Sequence, residues 1–368
     1  MSRSVEARRP FAPGDTGLRP AVDPWLIISA AILVVIGLTA LFSIDDAGSS
    51  GFFPRQLILA TIGLIPFFVF WRVNPAVWHK ASWILYAVNL LLLMAVLVIG
   101  ASSGGSQRWL GIGPIQFQPS ELSKLLLALT LASFYANRFE SVKKLWVFAL
   151  SFLHVLPPML LVFKQPHLGG VMTLIAIWLI ISIVAGVPWK YFVVLFVGSI
   201  TLGLVTWNAP GVLMDYQRER VIGFIRPDPQ VSGYQQHRAL IAIAGGKVTG
   251  EGYLRGGQKA GGYIPEQQTD FILTVIGEEG GLIGCLITLS VFGLFFYSAW
   301  RVAFLAPTLF TRLAASGVLG YLVFHTFVNL GMNLALMPVV GLWLPFISYG
   351  GSALWLCMAS LGLLASIR

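Results

Sequence analysis

Charge is scarce in this sequence. Only 11% of its 368 residues are Asp, Glu, Lys or Arg, whereas a soluble domain carries roughly 25%. That shortage excludes an ordinary water-soluble domain. Cysteine is scarcer still. Cys285 and Cys357 both lie inside apolar runs and read as packing residues, not as a disulfide or redox pair. No Walker A loop, GxGxxG fingerprint or HExxH helix is present, so the common nucleotide and zinc-hydrolase devices are missing. Apolar surface is abundant: 57% hydrophobic residues and a mean hydropathy of +0.80. The chain reads as a polytopic integral membrane protein. Its net charge of +9 does not imply a nucleic-acid partner, because basic cytoplasmic loops give the same excess.

A bilayer core of ~30 Å needs about 20 apolar residues per helix. Runs of that order fall at 24–44, 55–71, 80–100, 120–136, 146–163, 169–186, 190–207, 271–300, 308–334 and 343–366. The expected fold is an all-α integral membrane protein of ten transmembrane helices. Residues 1–22, polar and rich in Arg and Pro, are expected to be a flexible cytoplasmic tail, and 23–368 a single membrane domain. With the N-terminus inside, the inner side holds Arg3, Arg8, Arg9, Arg19, Arg72, Lys80, Arg138, Lys143, Lys144, Lys190, Arg301, Arg312 and Arg368. The short outer loops hold Arg55, Arg108 and Lys164. Thirteen against three predicts both termini in the cytoplasm. The connection 208–269, between spans 7 and 8, is then a large extracytoplasmic loop. Its apolar positions argue against plain disorder, and LIAIAGG suggests a short helix ending at Gly245.

Ionisable groups inside spans are costly unless paired or wetted, so each marks a candidate site. Glu121 and Lys124 in QPSELSKL are spaced i,i+3 and can pair, with Ser120 as the helix cap. Glu278 and Glu279, early in a 30-residue run, are expected to protrude or to line a wet cavity. His325, Asn329 and Asn333 form an i,i+4,i+8 stripe that suits interhelical hydrogen bonding. MPVVGLWLPFISYGGS carries enough Pro and Gly to suggest a broken or re-entrant segment. In PEQQTDFIL, Asp270 stands between a polar loop and an apolar run. It is either a helix cap or a reacting group.

Five stretches together resemble the SEDS family (shape, elongation, division and sporulation) of membrane glycosyltransferases. They are RWLGIGPIQFQPSELSKL, DYQRERVIGFIRPDP, AIAGGKVTGEGYLRGGQ, IPEQQTDFILTVIGEEGGLIG and NLGMNLALMPVVGLWLPFISYGGS. They stand in the family's order and cover nearly the whole chain from Asp23. The resemblance is closest to the RodA-type, rod-shape branch; the FtsW, cell-division branch shares most of the motifs. Two departures stand out. His167 replaces the acid of the family's QPDLGT, and Gln267 and Gln268 precede the key acid where the branch often has a histidine.

The resemblance implies a peptidoglycan polymerase of the bacterial cytoplasmic membrane, acting on lipid II for cell elongation. The 4-hydroxyl of a GlcNAc attacks the MurNAc C1 of another chain, the anomeric carbon inverts, and undecaprenyl pyrophosphate leaves. Asp270 is the implied catalytic carboxylate. A helix N-terminus would lower its pKa and suit it better to hold a divalent cation, Mg²⁺ or Mn²⁺, than to act as a base. Arg108, Glu121, Lys124, Arg218, Arg220 and Arg226 are expected at the substrate, with Glu121 and Lys124 in a cavity shared with Asp270. Trp109, Gln118, Tyr216, Gln217, Glu266, Glu279, Asn329 and Ser348 are expected in support. Arg255 and Lys259 read as solvated loop charges. The implied partner is a class B penicillin-binding protein, a transpeptidase, among other elongation-complex membrane proteins. A lipid II flippase and a non-catalytic scaffold that activates the transpeptidase are the competing readings.

Overall fold

Long apolar segments in a bilayer fold as helices because a helix satisfies its own backbone. In the computed structural model, residues 23–48, 51–103, 106–112, 115–208 and 233–367 are described. The expected tail and the site candidates Tyr216, Gln217, Arg218, Arg220 and Arg226 lie outside these residues. The elements are α1 (Pro24–Gly48), α2 (Phe52–Arg72), α3 (Pro75–Lys80), α4 (Ser82–Ile99), β1 (Ala101–Ser103), β2 (Ser106–Ile112) and β3 (Ile115–Phe117). Then follow α5 (Pro119–Ala136), α6 (Leu145–Lys164), α7 (Leu168–Ala185), α8 (Trp189–Asn208), α9 (Tyr234–Gly245) and α10 (Gly257–Ala260). The last are α11 (Ile272–Leu305), α12 (Leu309–Asn333) and α13 (Gly351–Ser366).

The protein is predominantly helical and multi-pass. Among the described residues, eight helices are long and apolar enough to cross a membrane: α1, α2, α4, α6, α7, α8, α11 and α12. The two other expected spans fall on α5, which carries Glu121 and Lys124, and on the 16-residue α13. The three strands, an addition to the helical expectation, form an antiparallel sheet in the order β1-β2-β3 between α4 and α5.

Helix α5 is the axis of the bundle. From Pro119 to Tyr135 every residue except Leu122 is buried, with α4, α6, α7 and α12 packed around it. At the periphery α2 lies on α13. Gly362 permits their close crossing, since a Cβ there would stand 2.2 Å from the Phe67 carbonyl oxygen.

Two helices depart from the sequence expectation, and both departures shape the site. The run 343–366 is helical only from Gly351, and the chain from Leu334 to Gly350 is non-helical, the broken segment that the Pro and Gly of MPVVGLWLPFISYGGS suggest. Pro338 and Pro345 deny it ladder donors, and left-handed Gly341 (φ 70°) and Phe346 (φ 65°) turn it. Its inner part is core nonetheless: Leu342, Leu344 and Ile347 are fully buried. The second departure is a break in α11 at Gly281 (φ 61°, ψ −157°), a conformation suited to glycine. The turn after α9 fills that break. Leu282 and Ile283 donate their amides to the carbonyls of Lys247 and Val248, while Glu251 and Gly252 donate theirs to the carbonyls of Glu278 and Glu279. The backbone groups freed by the kink are thereby paired inside protein.

Candidate active site

Asp270 sits on a strap, residues 266–271, that leads into α11. Glu266, in left-handed backbone (φ 53°), starts the turn, and its carbonyl accepts from the amides of Thr269 and Asp270. The strap is then fixed by its main chain. Tyr349 donates its amide to the Gln268 carbonyl, and Ser348 Oγ donates to the Thr269 carbonyl at 2.5 Å. Asn329 Nδ2 and Asn333 Nδ2, both fully buried on α12, donate to the Asp270 carbonyl at 2.8 and 3.0 Å. Every clamp thus holds the backbone and leaves the carboxylate for other work. A methyl group at Gly341 would stand 3.5 Å from Asp270 Oδ2, so the carboxylate lies over that glycine.

The helix-cap reading of Asp270 does not hold. The residue at the N-cap of α11 is Phe271, and no side chain caps that end. The expectation of a lowered pKa fails with it. Asp270 is half-buried, and burial first, then the Glu266 carboxylate, raise its pKa to about 6. Loss of water disfavours the anion, and a second negative charge disfavours it further. A carboxylate so placed is better matched to taking a proton near neutral pH than one at its ordinary value.

The expected polar pair exists, but it is buried. Lys124 Nζ lies 2.7 Å from Glu121 Oε1, at 0% and 2% exposure. Trp343 completes the group: its Nε1 donates to Glu121 Oε2 at 2.9 Å, and its ring faces Lys124 Nζ. His325 packs on Trp343 and bridges to Thr173 on α7. Ser120 is not the cap of α5; Gln118 holds that position, and Pro119 supplies a helix-ready first residue. Glu121 and Lys124 therefore do not line an open cavity with Asp270. They share its support: Trp343 binds Glu121, while the carbonyl of Leu342 accepts from the same Asn329 that holds Asp270. Removing one partner of such a pair costs about 3–5 kcal/mol. Glu121→Ala and Lys124→Ala should each reduce folded protein, and a double-mutant cycle on thermal stability should show strong coupling. A cycle that sums to zero would dissolve the pair.

Arg108 reaches from β2 to the α6–α7 turn, where its Nε donates to the Gln165 carbonyl and a terminal nitrogen to that of Pro166. Beside it, His167 is buried against Gln118 and Ser120. Burial, Lys124 and Arg108 lower its pKa to about 3, so this departure from the family pattern is a neutral imidazole. Trp109 is half-buried on β2. Glu278 and Glu279 do not protrude; both are buried, and Glu279 borders a mostly apolar cleft of about 240 Å³ between α1 and α11. Glu278 accepts the amides of Gln258 and Lys259, at the start of α10. Glu279 pairs with Lys259 Nζ at 2.5 Å, and Ser43 Oγ of α1 bonds to both. Lys259 is thus buried and paired, not a solvated loop charge. Arg255 remains exposed.

Sequence reasoning underrated two partners. Asn333 was visible as part of a stripe, but nothing in the spacing said that its target is the backbone of Asp270. The Lys259–Glu279 pair joins residues 20 apart with no periodic signal.

Similarity to known proteins covers this whole architecture. The FtsW/RodA/SpoVE profile, described as a cell cycle protein family, matches residues 23–368. Peptidoglycan glycosyltransferase MrdB of Escherichia coli (strain K12) is 34% identical over 349 residues, covering 94% of this chain and 93% of its own. A solved chain from work on "Structural coordination of polymerization and crosslinking by a peptidoglycan synthase complex" has a TM-score of 0.81 at 33% identity, covering 95% of this chain and 98% of that one. Rod shape determining protein RodA of Thermus thermophilus has a TM-score of 0.69 at 30% identity, covering 94% and 96%. A membrane bundle matched from Asp23 to its last residue, in sequence and in fold, leaves one assignment: the chain belongs to the FtsW/RodA/SpoVE (SEDS) family.

Proposed function

We propose that this chain is a peptidoglycan glycosyltransferase that polymerises lipid II for cell elongation, with Asp270 as the general base. The observation that carries the reading is the carboxylate itself: backbone-clamped, half-buried and raised to about 6. The acceptor 4-hydroxyl attacks the donor C1 from the face opposite the leaving pyrophosphate. Asp270 accepts the hydroxyl proton as the β-1,4 bond forms and the bond to the pyrophosphate oxygen breaks. Arg108, with Arg218, Arg220 and Arg226 of the outer loop, supplies the positive charge that the departing pyrophosphate needs. Trp109, Gln118, Tyr216, Gln217 and Glu266 serve beside them in support. Glu121, Lys124, Glu279 and Ser348 act by holding the frame rather than by touching sugar.

Asp270 and Glu266 are also two carboxylates at one spot, enough for a Mg²⁺ that takes waters and substrate phosphate oxygens as its other ligands. Groups of three or more His, Cys, Asp or Glu suited to a metal are absent among the described residues. Such an ion would add positive charge at the pyrophosphate. Coordination would lower the basicity of Asp270, so holding the ion and accepting the proton are alternative roles for this carboxylate.

The reading includes a ten-span topology in the bacterial cytoplasmic membrane, with both termini inside and Asp270 at the outer face. The Lys and Arg asymmetry supports it. Single cysteines, in a background lacking Cys285 and Cys357, test it. Position 249, exposed in the turn that fills the α11 break, should label from outside, and position 143 from inside only. Outside labelling at 143 would invert the topology.

A class B penicillin-binding protein is the proposed partner, supported by the solved synthase complex whose chain this one matches. The experiment for the function is polymerisation of purified lipid II by the purified, folded protein, with and without that partner. Glycan strands are expected, more of them with the partner. Their absence in both conditions would reject the enzyme reading and leave the scaffold.

A further inference from the structure

A polar cleft opens at the end of the bundle away from Asp270. Helix α5 starts beside Trp343 and runs 18 residues, so about 27 Å, to the cleft at its far end. The cleft holds about 340 Å³ and is lined by Ser82, Trp83, Thr130, Ser133, Phe134, Asn137, Arg138 and His154. Six of those eight side chains are polar, yet the walls are the apolar helices α4, α5 and α6. Intramembrane polar groups are expensive unless something polar occupies the space they face.

Thr130 Oγ1 donates to the Leu127 carbonyl at 3.3 Å and Ser133 Oγ reaches the His79 carbonyl at 3.5 Å, so the donors that face the cleft are chiefly those of Arg138 and Asn137. Arg138 contacts the Phe134 carbonyl at 3.4 Å and stacks over the Phe134 ring. It forms no ion pair among the described residues, and the nearby carboxylate, Glu140, is exposed and outside the lining. His154 stacks on Tyr86 and engages Thr130 through Nε2 at 3.1 Å; its Nδ1 makes no hydrogen bond among the described residues. Ser82 and Ser133 bond to each other at 3.0 Å. Asn137 is exposed at the mouth, and Trp83, 70% exposed, stands on the lipid side. Lys80, Lys143 and Lys144, all exposed near the same end, add positive potential.

We propose that this cleft binds a phosphate ester with a hydroxylated headgroup, the chemistry of an anionic polyol phospholipid. The guanidinium fork of Arg138, with Asn137, takes the phosphate oxygens. Ser82, Thr130, Ser133 and His154 meet the headgroup hydroxyls, and the acyl chains leave past Trp83. A basic pocket between helices at the cytoplasmic end is the setting in which such headgroups dock. The volume suits a headgroup, since small-molecule pockets run from ~300 to ~1,000 Å³. The site is independent of glycan chemistry at Asp270.

The test is native mass spectrometry of the full-length protein titrated with three probes: phosphatidylglycerol, phosphatidylcholine and soluble glycerol 3-phosphate. Phosphatidylglycerol should bind in preference to phosphatidylcholine. Arg138→Gln should weaken it by roughly tenfold, as loss of one charge-assisted contact does. Asn137→Ala should weaken it less, and Lys143→Gln, which removes only a solvent-screened surface charge, should weaken it least. Equal loss in Arg138→Gln and Lys143→Gln would mean diffuse charge and no site. Equal binding of the two lipids would overturn the proposal as well. Displacement of phosphatidylglycerol by glycerol 3-phosphate, sensitive to Arg138→Gln, would keep the phosphate site and assign it to a soluble ester.

Discussion

Asp270→Asn protein should insert, fold and fail to make glycan, with polymerisation down by at least ~10²-fold, the lower end for losing a general base. Three features of the site separate this result from simple destabilisation. The side chain caps no helix, so no cap is lost. The clamps from Asn329, Asn333, Ser348 and Tyr349 grip main-chain carbonyls, which the substitution leaves in place. Asn has the size of Asp and removes a partly buried negative charge, which by itself favours folding. Gel-filtration profile and thermal stability should therefore match the parent protein while the lipid II assay falls. A variant that polymerises at the parental rate would move the base to Glu266, the carboxylate that raises the pKa of Asp270.

Lys259→Met should produce the largest loss of folded protein among single changes in the outer loop. It strands Glu279 as a buried, unpaired carboxylate in α11, at a cost of about 3–5 kcal/mol. It also cuts the link through Ser43 that ties α1 to α11 and the loop. The double variant Lys259→Met with Glu279→Leu removes both charges and should recover most of the stability, because a well-packed apolar pair does not need the missing partner. Melting in detergent, followed by loss of the monodisperse peak, measures both. Parental melting of the single variant would show that Lys259 reaches solvent.

Hydropathy alone located the helices, because the bilayer demands apolar runs and the backbone must pair within them. It overran at 343–350, where leucines and an isoleucine as apolar as any span fold as buried non-helical chain. Exclusion from water, by protein or by lipid, and not helicity, is what hydropathy reports, and Pro345 and Gly350 are the cues to the difference. The i,i+3 spacing made the Glu121–Lys124 bridge legible, but Trp343, 222 residues away, was not: only the fold brings its indole to that carboxylate. Asp270 was conspicuous as an acid beside an apolar run. A helix starting at Asp270 itself would lower its pKa. The helix begins two residues later, and burial plus Glu266 then set the sign. Lys259 looked like any loop lysine, since nothing local distinguishes a paired charge from a solvated one.

The most direct measurement of Asp270 as the proton acceptor is the pH dependence of kcat/KM for lipid II polymerisation, for the parent protein and for the residual rate of Asp270→Asn. A base must be ionised in the free enzyme. With a pKa of about 6, the parent rate should fall close to tenfold per unit as pH drops below that value, and level off above it. The residual rate of Asp270→Asn should lack this inflection. An inflection near 6 that persists in Asp270→Asn, or a parent profile flat from pH 5 to 8, would contradict the assignment of Asp270 as the base.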